Sequence, residues 1–183
     1  MEVHQAIVER RSVRNFSDKP IETEVLDRVL NAARWAPSWA NTQAVRWIMI
    51  TDPAMKLEAV VALSPGNPSA KAMTTAPVVL ALCYVKRRSG FYKGQNTTSL
   101  GDWGFFDAGL ASANLTLAAV SEGLGTVHVG ATNVDLAANI LGLPEEWQFV
   151  EFIPLGYPEK KPQPTHRLEL SEIVYRDRYE ERK

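Results

Sequence analysis

The chain has 183 residues and a formal net charge of -1, so it is long enough for one domain, taken here as residues 1–183, with a sizeable core. Hydrophobic residues make up 45% of the chain and charged residues 22%, as in an ordinary globular protein. The balanced charge excludes a general nucleic-acid-binding face, and the single cysteine excludes a disulfide within the chain.

The first predicted element is an amphipathic segment over residues 3–7, which leads into Arg10, Arg11 and Arg14, with Ser12 among them. An arginine presents a planar fork of donors that matches phosphate oxygens, and a serine hydroxyl can add another donor. On a helix, Arg10 and Arg14 would share one face, because they lie four residues apart, and Arg11 would turn away. The run is a candidate phosphate site, and the alternative is a basic helix terminus exposed to solvent.

A second helix and a polar loop come next. Apolar residues recur at helical spacing from Val25 to Ala33, and Pro37 ends the helix. The loop then carries three side chains that can donate or accept hydrogen bonds: Ser38, Asn41 and Gln43. A buried strand over residues 47–50 follows it. The loop is a candidate ligand-binding segment, and the alternative is an ordinary helix-to-strand connection.

Helices and strands alternate through the remainder of the chain. The pattern predicts helices at residues 53–63, 103–121 and 134–141, and strands at residues 76–85, 126–129, 149–155 and 168–174. The polar segment 86–100 is long enough to form a lid or a mobile insert. The helix at 103–121 is too apolar for a surface helix, which indicates burial in a large core or in a subunit interface. Together these elements predict an α+β fold.

Taken together, the two polar clusters resemble the FMN-dependent nitroreductase family. Members open with an Arg-x-Ser-x-Arg/Lys motif, matched here by Arg10, Ser12 and Arg14. They continue with a Pro-Ser-x-x-Asn-x-Gln motif, matched by Pro37, Ser38, Asn41 and Gln43. Residues 122–131 are similar to the family's passage beside the flavin ring. In the tail, Arg167 matches a basic residue that returns to the flavin phosphate.

The resemblance runs nearly end to end, with two departures. Many members have Pro-Trp directly after the glutamine, where this chain has Ala44 and Val45. Some members carry a lysine two places before the tail arginine, where this chain has Thr165.

The resemblance implies a nitroreductase-like sheet flanked by helices, completed by chain exchange in an intertwined homodimer with residues 103–121 as its central helix. It also implies that FMN is the bound cofactor. One group of residues would lie around the flavin phosphate: Arg10, Arg11, Ser12, Arg14 and Arg167. A second group would reach the flavin of the partner subunit: Pro37, Ser38, Asn41 and Gln43. The backbone of His128, Val129 and Gly130 would lie along the ring.

The implied reaction is ping-pong hydride transfer, in which NADH or NADPH reduces the flavin and leaves before a nitroaromatic, quinone or similar small acceptor is reduced. No catalytic residue is predicted, because protons can come from solvent, and His128 is expected to be only a ring neighbour. Within the same fold, dehalogenation, ene reduction or a biosynthetic oxidation remain open. FMN binding without turnover is an alternative of another class. A dinucleotide loop at Gly123 and Gly125 is disfavoured, because the third glycine comes too late.

Other chemistries find no support in the sequence. The three histidines do not stand at metal-ligand spacing with cysteines or carboxylates, so no metal site is predicted. No Walker motif or nucleophile elbow is present. The apolar run at 77–85 is far shorter than the roughly 20 residues that span a bilayer, and the N-terminus lacks the apolar core of a signal peptide. We therefore expect a cytoplasmic protein without membrane contacts, with Cys83 as an inert buried thiol.

Overall fold

The described part of the computed structural model, residues 1–179, forms a central antiparallel sheet with helices on both faces. Residues 180–183 of the predicted domain lie outside the described part. The strands are β1 (Val45–Ile50), β2 (Val78–Val85), β3 (Phe91–Tyr92), β4 (Gln95–Asn96), β5 (Gly125–Thr126) and β6 (Trp147–Gly156). The helices are α1 (Val3–Glu9), α2 (Thr23–Arg34), α3 (Pro53–Val60), α4 (Ala70–Thr75), α5 (Gly104–Ser121), α6 (Val134–Ile140) and α7 (Leu170–Ile173). The sheet order is β1-β2-β6-β5, and β3 pairs with β4 in a separate hairpin.

The central strand β2 is buried on both faces, which explains its unbroken apolar sequence. Side chains alternate across a strand, so Val79 and Ala81 pack with α3, α4 and α6 on one face. Val78 and Leu80 pack with α2 and α5 on the other. The predicted α+β sheet flanked by helices is therefore confirmed.

The helix α5 presents two different faces. Residues at helical spacing, including Ala108, Ala111, Leu115 and Ala119, are buried against the sheet and α2. The neighbouring Phe105 and Phe106 are exposed, as is Gly109. The expectation of burial all round is wrong for the single chain, which leaves an apolar face of α5 uncovered.

Two local predictions differ from the structure, at the tail and after β5. The predicted tail strand at 168–174 is wrong, because α7 forms there. Glu169 and Glu172 cap its first turn reciprocally, which favours a helix start over an extended chain. The predicted strand at 126–129 is reduced to β5 and one isolated bridge from Val129 to Phe152. The segment 86–100 contains the β3–β4 hairpin, whose turn at Lys93 and Gly94 has two positive φ angles, as tight hairpin turns require.

Candidate functional site

The arginine run lies on extended chain. Helix α1 ends at Glu9, and Arg10 has φ -57° and ψ 132°. The expectation that Arg10 and Arg14 share a helix face is therefore wrong. The segment continues into a bridge between Ser12 and Thr126 of β5. Val13 is buried in the core, whereas Arg14 is exposed.

Three arginines come together between α1 and the tail. Arg10, Arg11 and Arg167 line one cavity of about 290 Å³, with Thr165 on the same wall. The Nη1 of Arg167 donates to the Thr165 hydroxyl at 2.6 Å. The hydroxyl at the position where some family members carry lysine thus holds the tail arginine in place. The structure brings Arg10 and Arg167 together, as the phosphate-site hypothesis requires.

The side chain of Arg11 enters the same cavity, although the sequence placed it on the opposite face from Arg10. Its Nη1 donates to the carbonyl oxygens of Val8 at 2.7 Å and Arg10 at 2.8 Å, at the end of α1. Its Nε is buried and has no hydrogen-bond partner within residues 1–179. A buried donor without a partner is rare in proteins. Arg11 thus adds a third guanidinium to the residues that line the cavity, and one of its nitrogens is left without a partner in the described chain.

Arg14 is placed differently from the other arginines. Its Nε donates to the Ser69 hydroxyl at 3.3 Å. The Ser69 N–H donates to Asn67, and the Asn67 amide donates to the carbonyl oxygen of Ala131. Arg14 is thus joined to the chain directly after Gly130. No sequence pattern indicated Ser69 or Asn67, because the six-residue helix α4 that follows them is too short to show an apolar stripe.

The loop between α2 and β1 has an unusual backbone. Ala40, Asn41 and Gln43 have φ angles of 45°, 54° and 50°. Left-handed conformations of non-glycine residues cost on the order of 1–3 kcal/mol each and persist only where other contacts impose them. One such contact is the Gln43 N–H, which donates to the Ser38 hydroxyl at 3.0 Å. Pro37, Asn41 and Gln43 are exposed, so the loop presents polar groups outward from a fixed backbone.

The passage after β5 offers backbone donors on one edge. The N–H groups of Val127 and Val129 donate to β6, to Pro154 at 3.4 Å and Phe152 at 2.9 Å. Between and beyond them, the N–H groups of His128 and Gly130 form no hydrogen bond with any residue of 1–179. They lie on the opposite side of the extended chain, where a ligand could accept from them.

The side chain of His128 is held at its Nδ1, which lies 2.8 Å from Oε1 of Glu151 on β6. Glu151 and Gly130 line a cavity of about 360 Å³, together with Phe105 of α5. Within residues 1–179, no group of three or more His, Cys, Asp or Glu side chains is placed to hold a metal ion. In the same part of the chain, no helix is both long and apolar enough to cross a membrane.

Comparison with known proteins decides the family. A family model described as "Nitroreductase family" matches residues 7–157. The chain belongs to the nitroreductase family. The assignment predicted from its four motifs is confirmed.

Nitroreductase relatives match along nearly the whole chain. The FMN reductase [NAD(P)H] of Bacillus subtilis is 30% identical over 189 residues, covering 97% of this chain and 74% of that protein. The 5,6-dimethylbenzimidazole synthase of Rhodospirillum rubrum is 29% identical over 170 residues, covering 83% of this chain and 80% of that protein. The solved structure of the NADPH:FMN oxidoreductase of Vibrio harveyi complexed with NAD⁺ superposes with a TM-score of 0.82. It is 26% identical, and the match covers 99% of this chain and 79% of that chain.

Proposed function

We propose that the chain binds FMN and uses NADH or NADPH to reduce nitroaromatics, quinones or similar small acceptors. The enzyme class, a flavin oxidoreductase of the nitroreductase type, and the cofactor pair of FMN with NAD(P)H are both confirmed by the family and its relatives. The observation that carries the proposal for this chain is the arginine cavity, which Arg10, Arg11 and Arg167 line together.

The arginine cavity fits the phosphate end of FMN. A phosphate monoester carries up to two negative charges and accepts several hydrogen bonds, and arginine side chains match both properties. Arg10 and Arg167 supply charge from two separate segments, and Arg11 adds a third guanidinium to the same cavity. Ser12 forms a backbone bridge with Thr126 of β5, and Arg14 donates to the Ser69 hydroxyl. FAD should bind more weakly, because a terminal phosphate is what these side chains would surround.

The ring would lie along residues 128–130. The free N–H groups of His128 and Gly130 can donate to the polar edge of the ring, while buried Val129 fixes that segment to β6. Such donors stabilise the negative charge that a reduced flavin carries. His128 is assigned no proton-transfer role, and a cytoplasmic location and a single domain stay predictions.

We further propose a homodimer with shared sites. The uncovered face of α5, with Phe105 and Phe106, is a surface that a second copy would bury. Two-fold dimers are the commonest assembly of soluble enzymes. In the dimer, the exposed Asn41 and Gln43 would reach the flavin bound by the partner subunit.

Bound FMN would supply the redox chemistry, accepting a hydride from NADH or NADPH and passing reducing equivalents to the acceptor. The chain's own residues would bind the FMN and orient it. The arginines would hold the phosphate, the backbone at 128–130 would support the ring, and the loop between α2 and β1 would add polar groups at the partner's site. No acid or base side chain is required, because protons can come from solvent.

A second candidate is a biosynthetic oxidation. It is favoured by the 29% identity to the dimethylbenzimidazole synthase, which covers 80% of that relative. Both activities would use the same flavin site, so the acceptor distinguishes them.

Titration with FMN and FAD tests the proposal first. The protein should take up one FMN per chain, turn yellow and bind FAD more weakly. Turnover with NADH or NADPH and a panel of nitroaromatics and quinones then tests the reaction. A protein that stays colourless in excess FMN would contradict the cofactor assignment. FMN binding without reduction of any acceptor in the panel would favour the biosynthetic alternative.

A further inference from the structure

Asp107 is a buried carboxylate without a cationic partner. It lies in the first turn of α5 and is only 1% exposed. None of the ion pairs formed within residues 1–179 includes it. Its Oδ1 accepts the Trp39 N–H at 3.0 Å, and its Oδ2 accepts the Ser89 hydroxyl at 2.5 Å. A buried charge persists only where hydrogen bonds replace its hydration, so these two donors are essential to it.

The hydrogen bonds of Asp107 continue through Ser89 to Thr42 in the loop between α2 and β1. The Ser89 Oγ, fully buried, lies 2.6 Å from the Thr42 Oγ1. An ionised carboxylate only accepts, so the Ser89 proton is directed to Asp107. The Ser89 oxygen must then accept the proton of Thr42. The hydrogen bonds therefore run from the Thr42 hydroxyl to Ser89 and from the Ser89 hydroxyl to Asp107. The Trp39 N–H donates to the other carboxylate oxygen of Asp107.

These contacts hold the strained loop at two points. Trp39 precedes the left-handed Ala40 and Asn41, and Thr42 follows them. Asp107 therefore holds the loop on both sides of Ala40 and Asn41, directly at Trp39 and through Ser89 at Thr42. Ser89 belongs to the connection after β2, so the same contacts also join the loop to the segment that carries the β3–β4 hairpin.

We propose that Asp107 is a positioning residue of the flavin site. Its carboxylate, with Ser89 and Thr42, imposes the left-handed backbone that presents Asn41 and Gln43 to the flavin of the partner subunit. The flavin part of this inference rests on the proposed function. The anchoring of the loop by Asp107 does not.

Four variants separate loop anchoring from general stability. Asp107→Leu keeps the size and removes both acceptors. Asp107→Asn keeps an oxygen for Trp39 and can donate its amide to Ser89. Thr42→Val removes only the hydrogen bond between Thr42 and Ser89 and leaves those of Asp107 in place. Ser112→Ala is the matched control, because this buried α5 hydroxyl donates only to the carbonyl oxygen of Gly109 in its own helix.

Amide hydrogen exchange in the FMN-free protein measures the anchoring directly. Exchange at Trp39 and Gln43 should accelerate by about tenfold or more in Asp107→Leu, since a bond to a charged acceptor is lost. Thr42→Val should accelerate it less, and Asp107→Asn and Ser112→Ala should stay close to wild type. Unchanged exchange at the loop in both Asp107→Leu and Thr42→Val would overturn the proposal. If Asp107→Leu does not fold, the exchange rates of Thr42→Val at Trp39 and Gln43 decide whether the loop is anchored.

FMN binding supplies the second measurement. Asp107→Leu should weaken FMN binding and change the visible circular dichroism of the bound flavin, and Asp107→Asn should restore both. Faster loop exchange with unchanged FMN affinity and dichroism would overturn the positioning role. A wild-type protein that binds no FMN would overturn the proposed function instead, while the exchange rates would still decide the anchoring.

Discussion

Val13 packs directly on the backbone of Gly125. A Cβ at Gly125 would lie 2.5 Å from Cγ2 of Val13, closer than any side chain permits. Beside this contact, the Val13 N–H donates to the carbonyl oxygen of Thr126 at 2.8 Å. The glycine is required for close approach, and it sets the register of the arginine-bearing segment against β5.

Gly125→Ala should therefore displace the segment that carries Arg10 and Arg14. We expect a loss of about 1–3 kcal/mol in the free energy of unfolding, the range for overpacking a buried site. FMN affinity should fall as well, because the arginines move with the segment. Urea denaturation and FMN titration measure the two effects.

The double variant Val13→Ala with Gly125→Ala is the control. Removing the valine methyl groups relieves the contact with Cγ2 and leaves the Val13 Cβ, 2.7 Å away, as the remaining clash. The double variant should therefore be less destabilised than the sum of the single variants, although not restored to wild type. Simple additivity would show that the two residues are not in contact.

Arg10→Ala should weaken FMN binding by about 1.5–3 kcal/mol, the range for a hydrogen bond to a charged group. Arg167→Ala should act similarly, because both side chains line the same cavity. Lys161→Ala removes the same charge nearby, from an exposed pair with Glu9. That control should change the affinity little, since exposed pairs contribute about 1 kcal/mol or less. Equal losses in all three variants would indicate only a long-range charge effect.

Lys56 secures the junction between α4 and β2. The buried Nζ donates to the carbonyl oxygens of Ala76 at 2.7 Å and Pro77 at 2.9 Å. At neutral pH, Lys56→Met should cost about 1–3 kcal/mol of unfolding free energy, because two carbonyls lose their donor.

Burial lowers the pKa of Lys56 below its ordinary value of 10.5. Between the lowered pKa and 10.5, the unfolded chain binds more protons than the folded chain, so stability rises with pH in that window. The wild type should gain stability relative to Lys56→Met as the pH rises through it. Urea denaturation of both proteins across the alkaline range tests this direction of change. A difference in unfolding free energy that stays constant or shrinks as the pH rises would contradict it.

The shared-site dimer predicts complementation. Arg10→Ala damages the phosphate side of a site, and Asn41→Ala damages the loop side. In a mixed dimer, one site would carry both defects and the other neither, so about half of the sites should work if one site forms from two chains. Activity should return when the separately inactive variants are mixed after mild dissociation. Verified mixed dimers without recovery would show that each chain builds its own site.

The sequence predicted elements whose signal is local and periodic. The helical stripe of α2 and the apolar run of β2 are examples, and the order of the four motifs identified the family. It failed where particular side-chain contacts, either local or distant along the chain, override the apolar pattern. Glu169 and Glu172 convert the apolar tail into a helix start. No local pattern indicates the role of Asp107, because its partner Trp39 lies 68 positions away.

The arginine site shows the same limit. The sequence supplied Arg10, Arg14 and Arg167 as phosphate-binding candidates, but the helical spacing that paired Arg10 with Arg14 does not apply once α1 ends at Glu9. The position of Arg11 in the cavity depends on carbonyl groups at the end of α1, which no motif records.

The central claim is that this chain transfers reducing equivalents from NAD(P)H through bound FMN. Anaerobic mixing of the FMN-loaded protein with NADH or NADPH, followed by a nitroaromatic or a quinone, tests it most directly. The visible absorption of the flavin should disappear with one of the two nicotinamide cofactors and return when the acceptor is added. Flavin absorption that persists in the presence of both NADH and NADPH would contradict the account.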